Sequence, residues 1–227
     1  MFETFLVLDG RPVELDAHMT RLRASLDAVF GSPLPPRAEE AVLDGARDIA
    51  VGRLRLTVAP NGAGVLAVDV RAAPIDPSIV FPAFSSGARL APLLLPGGWG
   101  AHKWADRGPL ETAEADGSVP LVVDHDGTVL EASRANVFIV EDGTFVTPPA
   151  DGRILPGVTR ARLIGLLGAR EEIVSLDRLT EADEVFLSGS VRGVEPVSAC
   201  AGTQVWTPGT YTQTSATELR RHWEGQP

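Results

Sequence analysis

Three of the six Asp-Gly dipeptides constrain the fold of this chain most strongly. They stand at residues 9–10, 126–127 and 142–143, and each lies at the end of an apolar run that suits a β-strand. Asp-Gly is a preferred two-residue loop of β-hairpins, because both residues tolerate a positive φ. The sequence therefore predicts antiparallel hairpins in both halves of the chain.

Helical patterns lie between these hairpins and predict an α/β fold. Asp16 is a plausible N-cap for the first helix, and Pro156-Gly157 opens the last one. The predicted helices cover residues 17–30, 37–51 and 158–167. The predicted strands cover residues 2–8, 11–15, 53–59, 64–72, 121–124, 129–130, 136–141, 144–147 and 184–187.

A stretch rich in proline and glycine separates the two halves. Residues 73–100 contain five prolines and four glycines, a density typical of loops and linkers. We therefore predict an N-terminal α/β domain over residues 1–95, a linker at 96–100 and a C-terminal domain over 101–227.

Charge and cysteine content exclude several classes of partner. The formal net charge of −10 argues against a nucleic-acid or anionic-membrane partner. Cys200 is the single cysteine, which indicates a reducing compartment. The sequence has neither a membrane-length apolar run nor the pattern of a secretion signal at its start, so we expect a cytoplasmic location.

Lys103 is the one lysine among 20 basic residues, the other 19 being arginine. Codon usage accounts for the arginines but not for the lysine that remains. A primary amine can lose its proton and form a Schiff base, whereas a guanidinium cannot. The glycine-rich approach and the flanking Trp99 and Trp104 would lower the pKa of this amine by desolvation. Taken alone, the segment fits an exposed loop lysine better.

Five further residues, in four features of the sequence, are candidates for binding a ligand. Glu131 ends a strand and could present its carboxylate to a pyridine nitrogen. The turn before residue 158 leaves the backbone N–H groups of Val158 and Thr159 available to a phosphate, and Ser190 follows a glycine at a strand end. Arg21 lies at the margin of an apolar helix stripe. Each feature alone also fits an ordinary solvated residue or helix start.

Together these motifs resemble the class IV pyridoxal-phosphate aminotransferases, a family that includes branched-chain and D-amino-acid transaminases and 4-amino-4-deoxychorismate lyase. The resemblance covers nearly the whole chain and rests on six segments. They are Phe2-Glu3-Thr4, His18-x-x-Arg21-Leu22, Glu131-x-x-x-x-Asn136-Val137-Phe138, Phe145-Val146-Thr147-Pro148-Pro149, Leu155-Pro156-Gly157-Val158-Thr159-Arg160, and residues 183–190.

The resemblance implies a cofactor and a fold. It implies pyridoxal 5'-phosphate on Lys103 as the Schiff-base lysine, with Glu131 paired to the pyridine nitrogen. It implies phosphate contacts from Arg21, the N–H groups of Val158 and Thr159, and Ser190. The implied architecture is fold type IV, with a small N-terminal α/β domain and a larger C-terminal domain whose β-barrel-like sheet is flanked by helices, in a homodimer.

Two departures from the family pattern bear on these roles. Family members usually carry a strand and turn before the Phe-Glu-Thr segment, so the resemblance implies that this sequence lacks an edge strand. Tyr211 is the only tyrosine, so the active-site tyrosines of branched-chain enzymes have no counterpart. We expect Arg107 to contact the cofactor phenolate instead.

Residues 103–107 decide the expected reaction. Lys-Trp-Ala-Asp-Arg is more similar to the lyase members than to branched-chain transaminases, which favours pyruvate elimination over transfer of the amino group. Amino-acid transamination, of branched-chain or D-amino acids, stays open as the alternative. Arg53, Arg55 and Arg192 are candidates for the substrate carboxylate.

Two readings from other classes compete with an enzyme of this kind. The short N-terminus would suit a cofactor-free relative that serves as a binding or scaffold protein, although such a protein would not be expected to preserve Lys103. Asp124-His125-Asp126 could suggest a metal hydrolase. Adjacent side chains on a strand diverge and no second histidine cluster supports a metal, so a solvated hairpin tip is the better reading and no metal is expected.

Overall fold

The computed structural model describes residues 1–85, 87–106, 108, 110, 117–200 and 204–225. The chain divides into two compact units, one made of residues 1–80 and 102–106, the other of residues 81–101 and 107–227. Both contain sheet and helix, so the predicted α/β class is confirmed. The predicted domain boundaries, with a linker at 96–100, stay a prediction.

The first unit contains an antiparallel sheet of four strands in the order β2-β1-β3-β4 among its described residues. Asp9 and Gly10 have φ angles of 48° and 74°, as a tight hairpin loop requires. The predicted first hairpin is therefore confirmed. The strands are β1 Phe2–Leu8, β2 Arg11–Pro12, β3 Val51–Pro60 and β4 Leu66–Pro74.

Two helices supply the rest of the core of the first unit. They are α1 Leu15–Phe30 and α2 Arg37–Ala46. Met19, Leu22 and Leu26 of α1 are buried against alternate residues of β1 and β3. The predicted N-cap at Asp16 is wrong. Glu14 holds that position with a φ of 53°, and the helix begins at Leu15, so Asp16 lies in the first turn instead.

The second unit contains ten strands among its described residues. Their order is β10-β9-β8-β12-β13-β5-β6-β7-β11, with β14 beside β13. The strands are β5 Ala88–Leu94, β6 Val119–Val123, β7 Thr128–Ala132, β8 Asn136–Glu141, β9 Thr144–Thr147, β10 Arg170–Glu171, β11 Val174–Ser175, β12 Glu184–Gly189, β13 Gly193–Cys200 and β14 Gln204–Val205.

Strand β5 differs from the sequence-based expectation of loop over residues 73–100. It runs parallel to β13 from Ala88 to Leu90 and parallel to β6 from Leu90 to Leu94. Pro92 lies where pairing with β13 has already ended, so its missing N–H removes no bond on that side. Both partners are distant in sequence, so no hairpin signal marks this strand.

The longer described segments of the second unit include three helices: α3 Val158–Leu167, α4 Leu176–Glu181 and α5 Thr210–Trp223. The bounds of α3 match the prediction. Helix α5 was not predicted, and buried Glu184 of β12 fixes its start. The Glu184 carboxylate accepts bonds from the backbone N–H groups of Tyr211 and Thr212, at 3.2 and 2.8 Å. A carboxylate at a helix N-terminus compensates unpaired N–H groups there.

Candidate active site

Glu131 holds a buried carboxylate at the end of β7, with 8% of the residue exposed. The Leu155 N–H lies 3.3 Å from both carboxylate oxygens, and the Asn136 side-chain amide lies 3.5 Å from Oε2. A carboxylate in such a place is kept only if polar groups satisfy it. The carboxylate held by these donors is the kind of acceptor that a protonated ring nitrogen needs.

Asn136 connects the Glu131 carboxylate to the turn that opens α3. Its Nδ2 also donates to the Leu155 carbonyl at 3.0 Å. A Cβ atom at Gly157 would overlap the Asn136 Oδ1, so only glycine lets the turn approach this close. Asn136 belongs to one of the sequence motifs, but only these contacts reveal its role.

The N-terminus of α3 carries the two residues predicted to offer backbone N–H groups to a phosphate. Val158 and Thr159 are buried, and Gly157 precedes them as an N-cap without a side-chain cap bond. The first N–H groups of a helix have no partner within it, and the dipole favours an anion there. Buried Arg160 instead fixes the helix, donating to the Pro148 carbonyl at 2.7 Å and forming an ion pair with Glu171.

The hairpin turn after β12 lies at the same edge of the sheet. Asn136 of β8 stands directly opposite Ser188 of β12, and partly exposed Ser190 follows two residues later. The Ser188 hydroxyl is buried and has no hydrogen-bond partner among the described residues. Leaving a buried hydroxyl without a hydrogen bond costs free energy, so a polar ligand that bonded to Ser188 would recover that cost.

Arg192, predicted to bind a substrate carboxylate, lies on this same turn. Its Nη1 donates to Glu195 Oε1 at 3.2 Å. Arg134, which the sequence analysis did not select, donates to both oxygens of the same carboxylate at 2.6 and 3.0 Å. Because Glu195 is 61 residues from Arg134, no local pattern could reveal this arrangement.

Lys103 belongs to the first unit, where its loop lies beside β1. The Phe2 N–H donates to the Lys103 carbonyl at 3.0 Å, and Lys103 Nζ lies 4.9 Å from the centre of the Phe2 ring. Arg55 packs over the same ring at 3.8 Å, whereas Arg53 is exposed on the same face of β3. Phe2 is thus an aromatic neighbour that the sequence analysis missed.

Arg21 is held by a buried carboxylate in the first unit. Its Nε and Nη2 donate to Glu3 at 2.9 and 2.5 Å, and His18 Nδ1 lies 2.7 Å from Glu3 Oε2. Burial acts to raise the pKa of Glu3, but the Arg21 charge and the bonds from His18 and Arg21 lower it to about 2. Burial also lowers the pKa of His18. The Phe-Glu-Thr and His-x-x-Arg segments therefore form one ion cluster.

Asp124 of the predicted hairpin tip has structural contacts. It accepts bonds from the N–H groups of Gly97 and His125, at 3.1 and 2.8 Å, and from Arg153 at 3.0 Å. These bonds lower the pKa of Asp124, beginning with the one from the His125 side chain. Within the described ranges no group of metal-ligating side chains occurs.

The remaining predicted residue is Arg107, which lies outside the described residues. Five predicted residues of the second unit lie near the same end of its strands: Glu131, Val158, Thr159, Ser190 and Arg192. Asn136 lies among them, because it contacts Glu131, packs against Gly157 and stands opposite Ser188. In the first unit, Lys103 and Arg55 share the Phe2 ring. Across the part of the chain that is described, no helix is both long and apolar enough to span a membrane.

Known proteins match this chain in sequence and in fold. A model of the amino-transferase class IV family matches residues 1–83 and 109–200. The branched-chain-amino-acid aminotransferase of Escherichia coli K12 is 38% identical over 90 residues. That match covers 37% of this chain but only 29% of the relative's length.

Two solved structures cover nearly all of the chain. A hypothetical aminotransferase from Mycobacterium tuberculosis is 25% identical, with a TM-score of 0.85 over 100% of this chain and 89% of that one. The 4-amino-4-deoxychorismate lyase from Pseudomonas aeruginosa is 26% identical, with a TM-score of 0.80 over 97% and 89%. These matches confirm the family and the fold expected from the motifs. The chain is an enzyme of the class IV aminotransferase family.

Proposed function

We propose that this enzyme uses pyridoxal phosphate to eliminate pyruvate from an aminodeoxychorismate-like substrate. The observation that carries the cofactor assignment is the buried Glu131 carboxylate, held by Leu155 and Asn136 beside the N-terminus of α3. Class IV aminotransferases use this cofactor, and the similar protein from Mycobacterium tuberculosis has a PLP-bound form.

The described residues fit the chemical groups of that cofactor. Glu131 offers a carboxylate to a ring nitrogen, and the start of α3 offers N–H groups to a phosphate. We assign phosphate contacts to Val158, Thr159, Ser190 and Arg21. The phenolate contact falls to Arg107. The buried Ser188 hydroxyl, which has no hydrogen-bond partner among the described residues, supports a polar ligand at this edge.

Lys103 has two roles in this proposal. When bound, pyridoxal phosphate accepts electrons from the substrate's α carbon. Lys103 provides the amine that anchors the cofactor and, once released, the base that moves the proton at that carbon. Glu131 keeps the ring nitrogen protonated throughout. Arg53, Arg55 and Arg192 are our candidates for holding a substrate carboxylate.

The choice of reaction rests on residues 103–107, whose Lys-Trp-Ala-Asp-Arg sequence is more similar to lyase members. Transamination of an amino acid is the second candidate, favoured by the 38% identity with a branched-chain aminotransferase over 90 residues. We further propose that the enzyme is a cytoplasmic homodimer, as the family resemblance implies.

Trapping the cofactor tests the first part of the proposal. The purified protein is incubated with saturating pyridoxal phosphate, reduced with borohydride and mapped by peptide mass spectrometry. We expect the adduct on Lys103, the only side-chain amine in the sequence, and none in Lys103→Arg. Absence of a Lys103 adduct from the wild-type protein would favour the cofactor-free alternative.

Product analysis tests the reaction. Pyruvate release from aminodeoxychorismate is compared with keto-acid formation from L-alanine, D-alanine and leucine. Both assays use the cofactor-loaded protein without borohydride, and the second contains 2-oxoglutarate as the acceptor of the amino group. We expect pyruvate release to be the faster reaction. An enzyme that only transaminates would refute the lyase assignment while leaving the cofactor assignment intact.

A further inference from the structure

Two arginines from different turns of the second unit converge on one buried carboxylate. Arg134 lies on the turn between β7 and β8, and Arg192 lies on the turn between β12 and β13. Both donate to Glu195, and we call the three residues the Arg134–Glu195–Arg192 cluster. Arg134 binds both oxygens, so the carboxylate fixes the plane of its guanidinium.

The cluster keeps one uncompensated positive charge. Two guanidiniums face a single carboxylate, in a chain whose formal net charge is −10. Each guanidinium carries five N–H donors, and the two together use three bonds on Glu195. The arginine side chains are 31% and 37% exposed, whereas that of Glu195 is 8% exposed. Donors therefore remain for an anion that arrives from solvent.

The turn that carries Arg192 is held in place before any ligand arrives. The Phe81 N–H donates to the Arg192 carbonyl at 2.9 Å. Gly193 has a φ of 66°, and a Cβ atom there would overlap the Phe81 ring. A fixed backbone lowers the conformational entropy lost when the arginine binds an anion.

The cluster lies at the outer side of the groups assigned to the cofactor. Arg134 follows Glu131 by three residues, Arg192 follows Ser190 by two, and the Asn136–Ser188 register places both turns at one sheet edge. Glu131 and Thr159 are buried, whereas both arginines are partly exposed. A ligand reaching from the buried groups towards solvent would present its far end to the cluster.

We propose that the Arg134–Glu195–Arg192 cluster binds a carboxylate of a dianionic substrate that is not attached to the reacting carbon. This inference rests on the proposed function. Dicarboxylic amino acids, with their 2-oxo acids, and aminodeoxychorismate-like molecules both carry such a group. The shared chemistry is therefore a dianionic substrate.

Matched ligands test the role of the second carboxylate. The protein loaded with pyridoxal phosphate is titrated by calorimetry with 2-oxoglutarate, with 2-oxopentanoate, which has a methyl group in place of the second carboxylate, and with chorismate, a dicarboxylate of the other class. We expect Arg134→Gln and Arg192→Gln to weaken binding of a dicarboxylate about ten- to a hundredfold, as for a lost hydrogen bond between charged groups. Binding of 2-oxopentanoate should change less than about twofold.

Arg178→Gln is the matched control. Arg178 also binds a carboxylate with two nitrogens, Glu141 at the opposite end of β8, and its side chain is 29% exposed. It should leave the affinity of all three ligands unchanged. Arg134→Lys, which keeps the charge but not the paired geometry, should fall between wild type and Arg134→Gln, and it replaces that variant if the glutamine protein does not fold.

The pattern of losses decides the outcome. Selective loss for 2-oxoglutarate identifies a dicarboxylic amino-acid substrate, and selective loss for chorismate identifies the lyase type. Equal losses for dicarboxylate and monocarboxylate, or no loss for either dicarboxylate, would overturn the inference. Mapping the Lys103 adduct in parallel separates the two proposals, because failure here with the adduct present leaves the cofactor assignment standing, whereas a missing adduct removes both.

Discussion

Glu3 is the residue whose burial organises the first unit's charged groups. Its carboxylate is almost fully buried and receives bonds from both Arg21 and His18. Desolvation of a carboxylate is costly, and a positively charged partner in good geometry offsets that cost. The segments Phe2-Glu3-Thr4 and His18-x-x-Arg21 therefore meet in one ion cluster around the Glu3 carboxylate. Their sequence pattern revealed the residues but not the contact between them.

The depressed pKa of His18 predicts a pH-dependent stability. In the unfolded chain His18 takes up a proton near pH 6.5, whereas burial keeps it neutral to lower pH in the folded chain. The unfolded state then binds more protons, so stability falls as pH falls below 6.5, by at most about 1.4 kcal/mol per pH unit. Glu3, with a pKa of about 2, adds a loss in the same direction below about pH 4.5.

Urea unfolding between pH 7 and 5 measures this effect. His18→Gln keeps a hydrogen-bond donor for Glu3 but has no titrating ring, so its free energy of unfolding should change less steeply with pH than that of the wild type. Equal slopes for the two proteins would show that His18 does not contribute. The window lies above the range in which Glu3 titrates, which isolates the histidine.

At the scale of elements, the turn before α3 depends on glycine for contact rather than for backbone freedom. Gly157 has a φ of −65°, which any residue adopts, yet a Cβ atom there would overlap the Asn136 amide. That amide in turn contacts Glu131 and Leu155. The position of α3 and the orientation of the Glu131 carboxylate are therefore linked through one side chain.

Two glycine substitutions in this region should have opposite effects. Gly157→Ala should lower the free energy of unfolding by about 1–3 kcal/mol, because the added methyl displaces Asn136. Gly165→Ala, on the exposed side of α3 with no atom near the new Cβ, should raise it by about 0.5–1 kcal/mol. Urea denaturation measures both. A Gly157→Ala protein as stable as Gly165→Ala would contradict the contact seen in the structure.

The helices and strands that were predicted correctly have their signals in neighbouring residues. Those that were not predicted depend on contacts with residues far away in the sequence. The hairpin at Asp9-Gly10 and helix α3 follow from adjacent residues, and so does the selection of Glu131 at a strand end. Strand β5 pairs with segments far along the chain in parallel, and Glu184 fixes the start of α5 from 27 residues away. Asn136 and Glu195 likewise contact residues on other segments of the chain, and the sequence pattern around each residue does not reveal those contacts.

For the whole molecule, a cofactor that binds the folded state should stabilise it. At a concentration of one hundred times its Kd, such a ligand adds about 2.7 kcal/mol, or roughly 5–10 °C in Tm for a chain of this size. We expect this rise with pyridoxal phosphate in thermal unfolding followed by circular dichroism. Glu131→Gln and Lys103→Arg should each reduce it.

Glu141→Gln supplies the comparison for that measurement. Glu141 is a partly exposed carboxylate paired with Arg178. It is the last residue of β8, whereas Asn136 is the first. Its neutralisation should shift the Tm of the cofactor-free protein slightly and leave the rise on cofactor addition intact. A smaller rise in this variant, equal to that in Glu131→Gln, would argue against a specific role for Glu131.

The chain order of the first unit has a practical consequence for recombination between relatives. Residues 102–106 return to the unit formed by residues 1–80, and the Lys103 carbonyl bonds to the Phe2 N–H. A chimera joined near residue 95 would therefore take its lysine from one parent and the strand beside that lysine from the other. A chimera that takes each unit from a single parent needs three junctions, after residues 80, 101 and 106.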